Sequence, residues 1–211
     1  MPTSLRHDAD YTCCARVGVR IGAEHWIEGV VRCASPNYDD RTDPDDIALV
    51  VVHNISLPPG EFGGGLVEQF FTNCLDCTVD ATLRDLDGVR VSSHLFVDRR
   101  GAVTQFVPFN KRAWHAGVSS HRGREGCNDY SIGIELEGAD HVRYEDVQYA
   151  SLTALVVALM SRYPRLSLDG IVGHQEIAPQ RKTDPGSSFD WSRLYRDVVT
   201  SIGASSVAHR G

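Results

Sequence analysis

Histidines and carboxylates at the ends of predicted elements carry the most readable chemistry in this chain. His53 closes the aliphatic run Leu49 to Val52, and His174 closes the short run Ile171 to Gly173. Both are therefore expected where a rigid strand meets an open cleft. Downstream of His174, the stretch GHQEIAPQRKTDPG is punctuated by Pro and Gly and places Lys182 and Asp184 in a loop able to fold back over a metal. Two imidazoles and one carboxylate leave a fourth tetrahedral position for water, which distinguishes a hydrolytic zinc site from a closed structural one. No compact HExxH signature fixes this set, and among the nine histidines His94, His115 and His121 compete for the same role. Cys74 and Cys77 form a CxxC, but without a second such pair or a thioredoxin-like strand-then-helix pattern the six cysteines read as free thiols or small core residues.

The elements that must hold these residues are legible in outline. Ile47 to Val52 is a β-branched and aliphatic run typical of a strand buried on both faces, ending at His53 and the turn-rich LPPGEFGGG. Two apolar runs between Ser93 and Val107 flank Arg99, Arg100 and Gly101 and predict an antiparallel hairpin. In the strand SIGIEL, alternation puts Ile132, Ile134 and Leu136 on one face and Gly133, Glu135 and Glu137 on the other, so Glu135 is expected beside a glycine gap. Glu137 reads as a solvated or hydrogen-bonded carboxylate. Leu152, Leu155, Val156, Leu159 and Tyr163 mark a helix face that Pro164 ends, and Trp191, Leu194, Val198, Val199 and Ile202 mark a second helix expected to stop at Gly203. The acidic stretch from Asp39 to Asp46 reads as a solvated loop. The result is an α/β (α+β) fold, a single domain with a central mixed β-sheet flanked by helices. Residues 1–25 are an N-terminal extension, 26–203 the domain and 204–211 a tail.

Bulk properties exclude several functions. In 211 residues, 21 Lys plus Arg against 28 Asp plus Glu give a net charge of −7, with no basic footprint for nucleic acid or an anionic membrane. The longest apolar runs fall far short of the roughly 20 residues a membrane-spanning helix needs. Asp8, Asp10 and Arg16 interrupt any secretory core near the N-terminus, which predicts a cytoplasmic protein.

The segments LVVVHNISLPPGEFGG, VRVSSH, FNKRAWHAGVS, CNDYSIGIELEG and GHQEIAPQRKTDPG occur in order between about Trp26 and Tyr195. Together they resemble the AmpD-type N-acetylmuramoyl-L-alanine amidases, of the same superfamily as the peptidoglycan-recognition proteins. The resemblance implies one Zn2+ held by His53, His174 and Asp184, with Glu135 and Lys182 in catalysis. It further implies a small muropeptide substrate, in which the bond cut joins the lactyl group of 1,6-anhydro-N-acetylmuramic acid to L-alanine, with a single chain as the working unit. Glu135 is expected to assist deprotonation of the attacking water and Lys182 to stabilise the oxyanion.

Arg90 matches a position suited to clamping a peptide carboxylate, Asn54 is placed to hydrogen-bond the peptide, and His115 in RAWHAG is expected to contact substrate or assist proton transfer. Gly126 stands where such proteins commonly carry a second arginine, which predicts a raised KM unless Arg122 or Arg124 substitutes. A recognition module that binds peptidoglycan without cutting it, and a redox or structural protein built on Cys74 and Cys77, are the alternative readings. The complete ligand set argues against the first.

Overall fold

A computed structural model describes residues 18–208. Its elements in chain order are β1 (Val31–Arg32), β2 (Tyr38–Asp40), β3 (Leu49–Ile55), α1 (Leu66–Phe71), β4 (Leu95–Val97), β5 (Val103–Gln105), β6 (Lys111–Ala113), β7 (Ser120–His121), β8 (Arg124–Glu125), β9 (Ser131–Glu137), α2 (Asp146–Arg162), β10 (Ile171–Gly173), α3 (His174–Ile177) and α4 (Trp191–Ala208). Six strands form one sheet in the order β1-β5-β4-β9-β3-β10. The expected hairpin is the antiparallel pair β4 and β5, while β9 runs parallel to β4 and β3, and β3 parallel to β10. This is the mixed sheet flanked by helices that the sequence predicts.

Alternation along the two central strands separates packing from chemistry. Val50 and Val52 of β3 and Ile132, Ile134 and Leu136 of β9 point into a core completed by Leu152, Leu155, Val156 and Leu159 of α2 and Leu194 and Val198 of α4. The opposite face carries His53, Gly133, Glu135 and Glu137, because successive strand side chains must point to opposite sides. Continuous pairing carries β3 past the expected end at Val52: His53 sits opposite Glu135, Asn54 opposite Leu136 and Ile55 opposite Glu137. His53 therefore lies within the strand, where its pairing with Glu135 of β9 fixes its backbone, one residue beyond the last pair with β10.

Other boundaries also move. α4 runs through Gly203, which a glycine permits at a cost of about 1 kcal/mol, and on its expected apolar face Val199 and Ile202 are exposed. The acidic stretch is not a free loop: β2 pairs with β6, Asp39 meets Arg112, and Asp46 meets Arg124 and Arg165. Ile21 bridges Ile27, and Val19 and Ile21 pack on the main core, so the described part of the extension lies against the domain. Cys33, Cys74, Cys77 and Cys127 are free thiols, Cys127 fully buried, whereas Cys13 and Cys14 lie outside the described residues.

Candidate metal centre and active-site cleft

β3 delivers His53, the start of α3 delivers His174, and the loop before α4 returns Asp184 to both. Gln175 N–H donates to the Asp184 carbonyl, holding that loop against α3 at 3.0 Å. Asn54 donates to the Pro185 carbonyl of this loop and to Asp140 Oδ1 in the β9–α2 loop, so both hydrogens of its amide are engaged. The outcome is a triangle: His53 Nδ1, His174 Nδ1 and Asp184 Oδ2 lie 3.0 Å from one another. Donors bound tetrahedrally to zinc at about 2.0–2.1 Å stand about 3.3 Å apart, so these three atoms fit one small cation with little adjustment. Among the described residues this is the one His, Cys, Asp and Glu group close enough to share an ion.

Electrostatics favour the ligand form. Burial pushes His53 down to about 4, against the opposing hydrogen bond to Asp184, so the imidazole is neutral. For Asp184 burial acts upward, but hydrogen bonds and charge from His174 and His53 outweigh it and hold the carboxyl well below the usual range. The outer nitrogens are occupied too: His53 Nε2 meets His115 Nδ1 at 2.9 Å, and His174 Nε2 meets the Ala116 carbonyl at 3.1 Å. A metal-binding histidine is oriented by just such a bond on its far nitrogen.

The triangle opens into a cleft of about 320 Å3 that Glu135 and Lys182 also line, with Leu57, Phe70, Trp114 and His115. Glu135 Oε2 is buried and has no hydrogen-bond partner among the described residues. Burial first, and the charge of Asp184 second, push its carboxyl well above the ordinary carboxylate range, against the pull of Lys182. A carboxylate in that state is poised to take up a proton.

The remaining predicted residues are placed less simply. His115 is partly buried and both ring nitrogens are engaged, Nδ1 with His53 and Nε2 with Ser131 Oγ at 3.1 Å. The expected gap at Gly133 does not exist, since the His115 ring fills it. Arg90 is exposed and lines a smaller adjoining hollow that shares Phe70, Leu86 and Val89 with the cleft. Gly126 is not among the cleft-lining residues and adopts φ 70, where an arginine is strained. Arg122 and Arg124 are paired with Asp169 and Asp46 and are not among the cleft-lining residues.

Sequence reasoning missed the residues that support the loops. Arg181 donates to the carbonyls of Ala116, at 2.6 Å, and Val118. Asn128 Oδ1 accepts from the N–H groups of His115 and Ala116. Neither has a spacing signal, because each acts on backbone brought close by the fold.

His53, His174 and Asp184 gather beside Lys182 and a buried Glu135 whose Oε2 has no partner among the described residues, an arrangement suited to an amide hydrolase of the peptidoglycan-amidase type. The sequence pattern of the N-acetylmuramoyl-L-alanine amidases matches residues 43–187, and the chain belongs to that family of enzymes. Similar proteins include the 1,6-anhydro-N-acetylmuramyl-L-alanine amidase AmpD of Citrobacter freundii, 52% identical over 84% of this chain and 94% of that one. The Escherichia coli K12 AmpD is 51% identical over 80% of this chain and 92% of its own. A crystal structure of a selenomethionine AmpD derivative superposes with a TM-score of 0.80 at 51% identity, covering 83% of this chain and 97% of that one. AmpDh3 of Pseudomonas aeruginosa, solved in complex with anhydromuramic pentapeptide, superposes with a TM-score of 0.54 at 27% identity, over 72% of this chain and 60% of its own. Among the described residues no helix is long and apolar enough to cross a membrane.

Proposed function

We propose that this amidase is zinc-dependent and hydrolyses the amide between the lactyl group of 1,6-anhydro-N-acetylmuramic acid and the L-alanine of the stem peptide, in cytoplasmic peptidoglycan recycling. The observation that carries the metal is the 3.0 Å triangle of His53, His174 and Asp184. The substrate rests on likeness to enzymes named for that bond, at 52% identity along nearly their whole length.

His53, His174 and Asp184 would hold the ion, whose chemistry is Lewis acidity: it polarises a carbonyl and brings the pKa of water to about 7. Glu135, with Oε2 unpartnered, takes the proton of the attacking water and passes it to the departing alanine nitrogen. Lys182 lines the same cleft and faces the developing oxyanion with its ammonium. Trp114 and Leu57 supply the apolar walls that exclude bulk water. Arg90, in the adjoining hollow, is placed at the rim for a carboxylate of the stem peptide.

The test is to incubate the purified protein with anhydromuropeptide before and after complete chelation, with zinc add-back, and to follow free stem peptide by mass spectrometry. Release should cease on chelation and return with zinc. Release that persists without metal overturns the proposal.

A further inference from the structure

The two metal-site imidazoles are held differently on their outer nitrogens, and the difference assigns a role to a third histidine. His174 Nε2 faces the carbonyl of Ala116 at 3.1 Å. A carbonyl only accepts, so His174 carries its hydrogen on Nε2 and keeps Nδ1 bare for an ion. His53 Nε2 instead faces another imidazole, Nδ1 of His115, at 2.9 Å, and His115 Nε2 faces the Ser131 hydroxyl at 3.1 Å. Each of these groups can donate or accept, so the chain can run in either direction. In one direction Ser131 donates to His115, His115 donates to His53, and His53 donates from Nδ1 to Asp184, which blocks the ligand atom. In the other, His53 donates from Nε2 to His115, His115 donates from Nε2 to Ser131, and His53 Nδ1 is bare. Both imidazoles stay neutral in either arrangement, so the choice changes no charge.

We propose that His115 is a positioning residue for the metal ion, which with Ser131 behind it accepts the Nε2 hydrogen of His53 when an ion takes Nδ1, so that the ligand tautomer keeps every hydrogen bond on its far side. This rests on the zinc reading given above. The ring has little freedom to do anything else. A Cβ added at Gly133 would stand 2.5 Å from His115 Cγ, so the imidazole lies flat against the bare backbone of β9. Its own main chain is pinned, since Asn128 Oδ1 accepts from His115 N–H at 3.2 Å and from Ala116 N–H at 2.8 Å. The His53 and His115 rings meet edge-on at 85° with centroids 5.1 Å apart, the approach that points one ring nitrogen at the other. A hydroxyl at the far end fits this task because it rotates to serve either direction without leaving a buried N–H unpaired, which neither a carbonyl nor an alanine could do.

The experiment measures zinc affinity of the full chain by competition with a chromophoric chelator, with the melting temperature of the metal-free protein as the control for folding. Loss of such an outer partner should weaken zinc binding in His115→Leu by about 10–100-fold. His115→Asn places an amide oxygen where Nδ1 accepts and should restore most of that loss, and Ser131→Ala should fall between the two. Long-range nitrogen–proton NMR of the zinc-loaded wild type needs no variant and should find the hydrogen of His115 on Nε2. His115→Leu that folds and binds zinc as tightly as the wild type, or a His115 hydrogen on Nδ1 in the loaded protein, overturns the proposal. If the wild type takes up no zinc, the metal reading itself falls and takes this one with it; if wild type and His115→Leu take it up equally, this one falls alone.

Discussion

Glu135 and Glu137 are the same residue type on the same strand and the same face, one side-chain step apart, yet they have opposite fates. Glu135 opens into the cleft beside His53, His174 and Asp184 with Oε2 lacking a partner among the described residues, and burial drives its carboxyl well above the usual range. Glu137 faces a neighbouring cavity lined by Phe62, Gly63, Phe96 and Arg99. There Oε1 accepts from Gly63 N–H and Oε2 from Arg99 N–H, the latter at 2.9 Å. One carboxylate keeps an oxygen without a partner among the described residues, which is what the proposed proton-transfer role needs. The other is consumed in tying the glycine loop and the β4–β5 turn to the end of β9. Reactivity here is a property of what the rest of the chain withholds from a side chain, since strand geometry treats the two alike.

Paired substitutions break that comparison most directly. Glu135→Gln removes the proton acceptor and should lower kcat by about 10²–10⁴-fold. Its melting temperature should hold or rise, since a buried, unpartnered carboxyl is replaced by a neutral amide. Glu137→Gln should do the reverse, retaining most of kcat while losing about 1–3 kcal/mol in denaturant unfolding, because an amide can accept from one of the two N–H groups and confronts the other with its own donor. If the two variants exchanged these effects, the contrast drawn between the carboxylates would be wrong.

Gly133→Ala sharpens the same contrast from the floor of the site. The added methyl would overlap His115 at Cγ, Nδ1 and Cδ2, all within 2.8 Å, and the ring has Asn128-bound backbone behind it. Overpacking of this kind typically costs about 1–3 kcal/mol. Zinc affinity should fall with it, because His115 cannot keep its bond to His53. An unfolding curve superimposable on that of the wild type would show that the ring moves freely.

The sequence shows what depends on local pattern. The hairpin, the two long helices and the buried faces of β3 and β9 follow from apolar period and turn residues, whereas donors at run ends only make His53, His174 and Asp184 candidates among other histidines, and the resemblance to the amidases singles them out. What the sequence hides depends on encounters between distant segments. Nothing near Glu137 marks Gly63 as its partner, nothing near Gly133 shows that the RAWHAG loop will fill its bare side, and the acidic stretch reads as solvated because its arginines lie at 112, 124 and 165. Even the extension of β3 through His53 needed β9 and its full register to be known. Local rules place a ligand on an element, and only the assembled sheet decides which of two equivalent carboxylates stays free.

His94 offers the smallest and most general test, because it shares the site's burial without its chemistry. Its Nδ1 accepts from Gly133 N–H at 3.0 Å and its Nε2 faces the Lys111 carbonyl at 3.0 Å, so the neutral ring is fully used. Burial, and then the charge of Arg41, hold it well below its ordinary 6.5. The unfolded chain therefore binds a proton that the folded chain refuses, and stability declines as pH falls below 6.5 until the folded-state value is reached. His53 and His115 shift in the same direction, whereas depressed carboxylates such as Asp184 act only at lower pH. In metal-free protein the melting temperature should drop between about pH 7.5 and pH 5.5. His94→Gln keeps a donor for Lys111 without a titrating ring, so its drop should be shallower. Equal slopes for the two proteins would mean that His94 takes up its proton in the folded state, and that the buried side of the site is wetter than its hydrogen bonds imply.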